Sequence, residues 1–205
     1  GNRRDPFSEA FRTFIVSDWA PYSEELPAEL PAAPWAATRR AALAAAHEGA
    51  TLVIPAGPLK QRSNDTDYRF RAHATFSHLT GLGSDREPDA VLVFEPVFTD
   101  GEDATEVEEA GHVATLYFKP RAPRTDPEFY ADSRYGEMWV GQRESLAEMA
   151  AMTQLSCVPI DELGQALEKN ADVTSVRVLR GADASVTARV DEIRTGATQA
   201  QEVAD

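Results

Sequence analysis

The sequence predicts an α/β domain in which helices cover both faces of a sheet. Short β-branched runs alternate with helical patterns in the second half of the chain, which is typical of layered α/β architectures. The chain has 205 residues, of which 42% are hydrophobic and 26% charged, so it is long enough to bury one core. We therefore expect one domain with additional segments at its ends.

The first part of the chain predicts two helices and a linker. Residues 6–19 place apolar side chains at near-helical spacing, which indicates an amphipathic helix. The proline-rich run PYSEELPAELPAAPW follows, and the alanine-rich residues 35–48 predict a second helix. We assign residues 1–33 to an N-terminal helix and proline-rich extension, and residues 34–205 to the domain.

Five short runs predict strands, and three segments between or after them predict helices. The strands are 51–55, 90–94, 112–118, 157–160 and 175–179, and each is short and rich in β-branched or aromatic residues. The helical segments are SLAEMAAMTQL, DELGQALEKN and SVTARVDEI.

An acidic loop is predicted at residues 99–111. Residues 100–109 contain six acids and no base, a density that opposes burial. The simplest interpretation is a solvated hairpin loop, and an acidic arm that binds a partner is the alternative.

Net charge and cysteine content exclude several classes of protein. The formal net charge of -14 would repel a phosphate backbone, and only short arginine pairs oppose it, so no nucleic-acid partner is expected. The single cysteine, Cys157, excludes an internal disulfide and is predicted to be a buried core thiol. No apolar run approaches the roughly 20 residues that span a bilayer, so we expect no membrane partner and a cytoplasmic location.

The sequence shows no self-sufficient catalytic or metal-binding pattern. His73 and His78 are five residues apart and have no glutamate in the HExxH arrangement, so a structural or solvent-facing role is favoured. A GxSxG elbow, a Walker loop and paired CxxC motifs are all absent. We therefore predict no catalytic residues and no metal ligands in this chain.

Two blocks of sequence carry a resemblance to a known family. RSNDTDYRFRAHATFSHLTG at 62–81 and GEMWVGQR at 136–143, with EPDAVLVFEP between them, resemble the N-terminal domain of Xaa-Pro aminopeptidases (aminopeptidase P), of the creatinase and prolidase superfamily. The resemblance covers roughly residues 35–180. It implies a ribonuclease-H-like, three-layer module with a mixed central sheet of about six strands and helices on both faces.

The resemblance also implies where catalysis occurs. In this family, catalysis belongs to a C-terminal "pita-bread" domain that holds two divalent metal ions, usually manganese, through two Asp, one His and two Glu. Nothing in this chain matches those ligands, so this chain is expected to bind no cofactor and to be inactive alone. The chain starts at Gly1 and ends within a helical pattern, so we expect that both ends are cut and that the catalytic domain is absent.

Two substrate-binding residues follow from the resemblance. Asp65 matches an acidic residue that projects toward the substrate's amino end, where a carboxylate would select a cationic α-ammonium. The alternative is that Asp65 only caps a turn. Trp139 matches a tryptophan that reaches a neighbouring subunit's cleft in oligomeric relatives, and core packing beside Met138 and Val140 is the equal alternative. Arg62, Tyr68 and Arg71 flank the block and are expected to hold the Asp65 loop by hydrogen bonds, and a local salt-bridge network with Asp65 and Asp67 is the favoured alternative.

The expected function is that of a non-catalytic domain in a metal-dependent Xaa-Pro aminopeptidase, a hydrolase that releases the N-terminal residue preceding proline. The domain would shape the substrate cleft and oligomer contacts. Its expected partners are a peptide with proline at the second position, its own C-terminal domain and further copies of itself. A stand-alone interaction module and the N-terminal domain of a prolidase remain alternatives, and the net charge argues against a nuclease.

Overall fold

A computed structural model describes residues 7–64, 66–97 and 111–197. Its strands in chain order are β1 (Ala50–Pro55), β2 (Gln61–Ser63), β3 (Thr66–Asp67), β4 (Val91–Pro96), β5 (His112–Phe118), β6 (Ser156–Pro159) and β7 (Ser175–Val178). Its α-helices are α1 (Glu9–Ile15), α2 (Ala33–Ala46), α3 (Ala74–Thr80), α4 (Glu128–Ala131), α5 (Glu137–Val140), α6 (Leu146–Thr153), α7 (Leu163–Ala171) and α8 (Ala184–Gly196).

A mixed five-stranded sheet forms the centre of the domain. Its strand order is β6-β5-β4-β1-β7, and β2 and β3 form a separate hairpin. The pairs β1–β4 and β4–β5 are antiparallel, whereas β1–β7 and β5–β6 are parallel. The parallel strands lie at the two edges, where a helical segment precedes each of them. This order places the turns that follow β1 and precede β4 next to each other.

Side chains along the central strands alternate between the two faces of the sheet, and this divides the core into two halves. Leu52 and Ile54 of β1 face one side and pack with α2, α3 and α6, while Val53 faces the other side and packs with α7 and α8. Successive side chains of a strand point to opposite faces, so both faces of the β1–β4 centre are buried. The three-layer architecture with helices on both faces is confirmed.

The paired arginines of α2 tie that helix to the end of α3. Arg40 is fully buried and donates from Nη1 to the Leu79 carbonyl at 3.0 Å, and Arg39 Nε donates to the His78 carbonyl at 2.7 Å. Carbonyls in the last turn of a helix lack helical partners, and cationic donors satisfy them. Gly81 then ends α3 at φ 77°, a left-handed conformation that glycine adopts without strain.

Several element boundaries differ from the sequence prediction. The first helix covers only Glu9–Ile15 and ends at the C-cap Val16, and the left-handed φ of 60° at Asp18 prevents the helix from continuing to residue 19. The central sheet has five strands rather than six. The acidic loop predicted at 99–111 lies outside the described residues except for Gly111. Within the described ranges, no helix combines the length and apolar character needed to cross a membrane.

Candidate functional site

The two sequence blocks line one open cavity of about 760 Å³. The first block contributes Thr66, Asp67 and Phe70, and the second contributes residues around Trp139 and Arg143. Between them, the turn that precedes β4 supplies a charged floor. The floor residues are Asp85, Arg86, Glu87 and Pro88. The tertiary structure therefore brings together segments that are about seventy residues apart in the chain.

The β2–β3 hairpin lies beside this cavity and lines it with Thr66 and Asp67. Gln61 Nε2 donates to the Asn64 carbonyl at 2.9 Å, and the hydroxyls of Ser63 and Thr66 are 2.6 Å apart. These bonds close the turn from both of its strands. Asp65 itself lies outside the described residues, so its predicted contact with a substrate ammonium stays a prediction.

The residues predicted to support the hairpin are all exposed. Tyr68 is 58% exposed, and Arg62 and Arg71 also lie on the surface. Among the described residues, Asp67 pairs with Arg134. The predicted local network required a pair with Arg62 or Arg71 instead. The ion pair joins two distant segments, so no neighbouring residue in the sequence could have indicated it.

Trp139 lies on the short helix α5 at the cavity, and its side chain faces outward. The residue is 62% exposed, and its indole Nε1 donates to the Tyr130 carbonyl at 2.7 Å. Its neighbours Met138 and Val140 are about half exposed. Core packing, the alternative for Trp139, is therefore not observed. Its role in substrate binding stays a prediction.

A buried ion pair lies at the floor of the cavity. Arg143 Nη2 donates to Glu87 Oε2 at 2.9 Å, and only 10% and 4% of these two side chains are exposed. The same nitrogen donates to the Lys119 carbonyl at 2.6 Å. Burial raises the pKa of Glu87 above its usual value, and the positive charge of Arg143 opposes that rise. The pair fixes the end of the second sequence block to the floor.

The floor itself has an unusual backbone. Asp85, Glu87 and Asp89 adopt φ values of 61°, 51° and 62°, a region that non-glycine residues rarely occupy. Arg69 pairs with the Asp85 carboxylate, and Tyr135 donates its hydroxyl proton to Asp89. Such conformations persist only where surrounding contacts enforce them, and they are concentrated at functional sites.

The start of α6 completes the second block. Ser145 and Glu148 form a reciprocal capping box, and Arg121 donates to both Glu148 oxygens at 2.9 and 3.3 Å. Burial opposes the ionisation of Glu148, but the bonds from Ser145 and Arg121 prevail and lower the pKa of its carboxyl. Arg86 also pairs with Glu144 at 2.6 Å. These contacts hold residues 143–148 rigidly against the floor.

The described residues do not fit a metal centre. In residues 7–64, 66–97 and 111–197, no three His, Cys, Asp or Glu side chains converge as ligands. His73 instead caps α3 by accepting from the Thr75 amide at 3.3 Å, His78 is exposed, and His112 Nε2 lies 2.9 Å from the Ala50 carbonyl. Cys157 is partly buried against the core, and burial raises its thiol pKa to about 12.

Sequence reasoning missed Glu87 and Arg134, two of the charged residues at this site. Glu87 stands in the GSDREPD turn, where a charged run directly before a buried strand was the available signal. Arg134 lies in a stretch with no periodic pattern, and nothing in its sequence neighbourhood pointed to Asp67. Arg143 was part of the recognised block but had no predicted role.

The sheet order, the helices on both faces and the lateral cavity define a three-layer α/β domain with a cleft along one side. Comparison with known proteins gives the family. The family described as "Aminopeptidase P, N-terminal domain" matches residues 36–179. The chain belongs to the aminopeptidase P N-terminal domain family.

Individual relatives agree with this assignment. The chain is 41% identical over 178 residues to Xaa-Pro aminopeptidase 1 of Streptomyces coelicolor, covering 82% of this chain and 33% of that protein. It is 37% identical over 183 residues to Xaa-Pro aminopeptidase 2 of the same organism, covering 89% of this chain and 36% of that protein. The chain thus spans about a third of the length of these relatives.

Solved structures share the fold. Proline aminopeptidase P II from Yersinia pestis superposes with a TM-score of 0.59 at 23% identity, covering 78% of this chain and 32% of that chain. A variant of Escherichia coli aminopeptidase P in complex with substrate gives a TM-score of 0.60 at 20% identity, covering 83% and 33%. At these identities the likeness concerns the fold alone.

Proposed function

We propose that this chain is the non-catalytic N-terminal domain of a metal-dependent Xaa-Pro aminopeptidase and that its cavity is one wall of the substrate cleft. The observation that carries the proposal is the convergence of the 62–81 and 136–143 blocks on one cavity. Its charged floor is held by a buried ion pair and a backbone of rare conformation. Ordered surfaces of this kind suit the positioning of a ligand.

The chemistry of the cavity suits the amino end of a peptide. A carboxylate at Asp65 would attract the α-ammonium, and the exposed indole of Trp139 offers an apolar face to the proline ring. The charged residues of the floor are already paired, so they would shape the cleft rather than bind the ammonium.

The remaining parts of the proposal concern the intact protein. Two divalent metal ions, for which manganese is our expectation, would be held by residues outside this chain. Self-association through the Trp139 surface and a cytoplasmic location complete the proposal. This domain would then supply binding and orientation rather than bond cleavage.

Kinetics of the protein expressed from its complete reading frame test this function. With Mn²⁺ added, we expect release of the first residue from a peptide with proline second. Asp65→Asn should raise KM about tenfold or more, because a charge-assisted hydrogen bond contributes about 1.5–3 kcal/mol. With an N-acetylated peptide, which lacks the ammonium, Asp65→Asn and wild type should have the same KM.

Asp161→Asn is the matched control, because Asp161 is an exposed carboxylate in the 3₁₀ turn Ile160–Glu162. It should leave KM unchanged. Absence of hydrolysis of any peptide with proline second would overturn the proposed function. Product formation by the 205-residue chain alone, above a metal-free control, would overturn its non-catalytic role.

A further inference from the structure

The N-terminal residues 7–22 pack against the segment that carries Trp139, although they precede the family match at 36–179. We call residues 7–22 the strap. Two separate sets of contacts connect the strap to Trp139, one through Glu137 and one through Tyr130.

The first set ends on Glu137, the first residue of α5. The Tyr22 hydroxyl donates to Glu137 Oε2 at 2.5 Å, and Arg124 donates to Glu137 Oε1 from Nε at 3.2 Å and from Nη2 at 2.7 Å. Arg124 also donates to the Ala20 carbonyl. Only 16% of the Arg124 side chain and 9% of the Glu137 side chain are exposed, so these charge-assisted bonds are shielded from solvent.

Tyr22 is held between two guanidinium groups. Its ring centroid lies 3.7 Å from the central carbon of Arg121 and 4.0 Å from that of Arg124. Burial, together with the hydrogen bond to Glu137, raises the pKa of Tyr22 to about 12. Tyr22 therefore remains a neutral donor to Glu137 throughout the physiological pH range.

The second set ends on Tyr130, whose carbonyl accepts the indole N–H of Trp139. Ile15 of the strap forms a small buried cluster with Phe129 and Tyr130. The Phe7 ring packs edge-on against Tyr130 at 6.1 Å, and the Trp19 ring packs edge-on against Phe129 at 5.2 Å. The strap thus covers Tyr130, whose carbonyl is the acceptor for Trp139, and its neighbour Phe129.

Helix α5 depends on such outside contacts. It has four residues, no side-chain cap in the described structure, and three apolar side chains that are each about half exposed or more. A single helical turn is unstable by itself, because nucleation costs more than one turn of hydrogen bonds returns. The contacts at Glu137 and at the Trp139 indole therefore determine where this turn lies.

We infer that the strap is a positioning element that fixes Trp139 at the cavity. It acts on the helix through Glu137 and on the indole through Tyr130. Loosening the strap should let the indole leave its bond to Tyr130. The consequence for peptide binding rests on the proposed function, whereas the position of the indole does not.

Fluorine NMR of the 205-residue chain labelled with 5-fluorotryptophan tests the inference. The three tryptophans Trp19, Trp35 and Trp139 give three resonances, which single Trp→Phe variants assign. In Tyr22→Phe and in Glu137→Gln, the Trp139 resonance should shift or broaden relative to wild type. Trp35, which lies on α2, should keep its resonance, and an unchanged far-UV circular dichroism spectrum should show that the domain remains folded.

Glu192→Gln is the matched control, because Glu192 also pairs with an arginine, Arg189, at 2.8 Å but lies on α8. It should move none of the three resonances. A Trp139 resonance that keeps its wild-type shift in both strap variants overturns the inference. If circular dichroism shows that one variant is unfolded, the other variant decides.

Kinetics of the complete protein separate this inference from the proposed function. Tyr22→Phe should raise KM for the proline peptide by roughly two- to tenfold with kcat unchanged, as expected when only binding is weakened. A shifted Trp139 resonance with unchanged KM would support the positioning role of the strap and contradict the proposed role of Trp139 in peptide binding. An unchanged Trp139 resonance would overturn the positioning role of the strap, whatever the kinetics show.

Discussion

Arg134 binds Asp67 across the cavity through a hydrogen bond and a second close ion-pair contact. Its Nε lies 2.9 Å from Oδ2 and its Nη2 lies 3.0 Å from Oδ1, and the two residues are 67 positions apart in the chain. The arginine side chain is half exposed, while the aspartate side chain is 20% exposed. This pair joins the β2–β3 hairpin to the segment that leads into α5, so the first sequence block is tied to the residues just before the second.

Loss of this pair should loosen the hairpin more than it destabilises the domain. Asp67→Asn should lower the free energy of unfolding by about 1 kcal/mol or less, because exposed ion pairs contribute little. Amide hydrogen exchange at residues 61–67 should become faster. Asp191 lies on α8 and forms an exposed ion pair with Arg180. Asp191→Asn breaks this pair and should leave exchange at residues 61–67 unchanged. Equal exchange in both variants would contradict the connecting role of Arg134.

The buried pair at the cavity floor should make stability depend on pH. Arg143→Met leaves Glu87 buried without its cation, so the pKa of Glu87, already raised by burial, should rise further. The folded state then binds more protons than the unfolded state, and stability falls as pH rises through the interval above 4.5. We expect a loss of about 3 kcal/mol at pH 7.5 and a smaller loss at pH 5, measured by urea unfolding.

The double variant Glu87→Gln with Arg143→Met provides the comparison for this prediction. It has no carboxyl to titrate, so its loss relative to wild type should be the same at both pH values. An Arg143→Met variant that is destabilised equally at pH 5 and pH 7.5 would show that Glu87 does not carry the charge.

Two glycines of the GEMWVG block should resist substitution for different reasons. A Cβ on Gly136 would lie 2.4 Å from the Glu128 carbonyl oxygen and 2.5 Å from that of Asp132, so Gly136→Ala should cost about 1–3 kcal/mol through overpacking. A Cβ on Gly141 would meet no described atom within 4 Å, but its φ of 83° and ψ of 177° suit glycine alone. Gly141→Ala should therefore cost about 1–3 kcal/mol through backbone strain.

Gly164→Ala is the control for both glycine variants. Gly164 lies in α7, and its nearest contact for a Cβ is the Arg189 side chain at 3.9 Å. Alanine should stabilise this helix by about 0.5–1 kcal/mol. Thermal unfolding should rank Gly164→Ala above wild type and both other variants below it. A Gly136→Ala protein as stable as wild type would contradict the close packing between α4 and α5.

Cys157 should be unreactive in the folded protein. Burial raises its thiol pKa to about 12, so very little thiolate exists at pH 8. The reaction with a disulfide reagent such as DTNB should be more than about 100-fold slower than in guanidinium chloride, where the thiol has an ordinary pKa. A native rate within tenfold of the unfolded rate would contradict the burial of this thiol.

Much of the fold could be read from local pattern. The runs TLVIP, AVLVF and HVATLYF are strands because β-branched and aromatic residues suit a sheet that is buried on both faces. The short helices α4 and α5 escaped prediction, since one turn of helix carries no detectable periodicity. The hairpin β2–β3 escaped it because its strands are polar and exposed.

The candidate site could be located by sequence but not assembled from it. The resemblance indicated Trp139 and the 62–81 block, and the structure places both at the same cavity. Glu87 could not be foreseen as a buried anion, because its burial depends on Arg143, which is 56 residues away. The partner of Asp67 was predicted among its neighbours in sequence, whereas the structure supplies the distant Arg134.

The sequence by itself determined the α/β class, the family, and the two blocks that line the cavity, because periodicity and local motifs are written in consecutive residues. Only the tertiary structure decided which charges meet across the cavity, that Trp139 is exposed, and that residues 7–22 cover the α4–α5 segment. Ion pairs and helix positions of this kind depend on contacts between distant segments. Such contacts exist only after the sheet has brought those segments together.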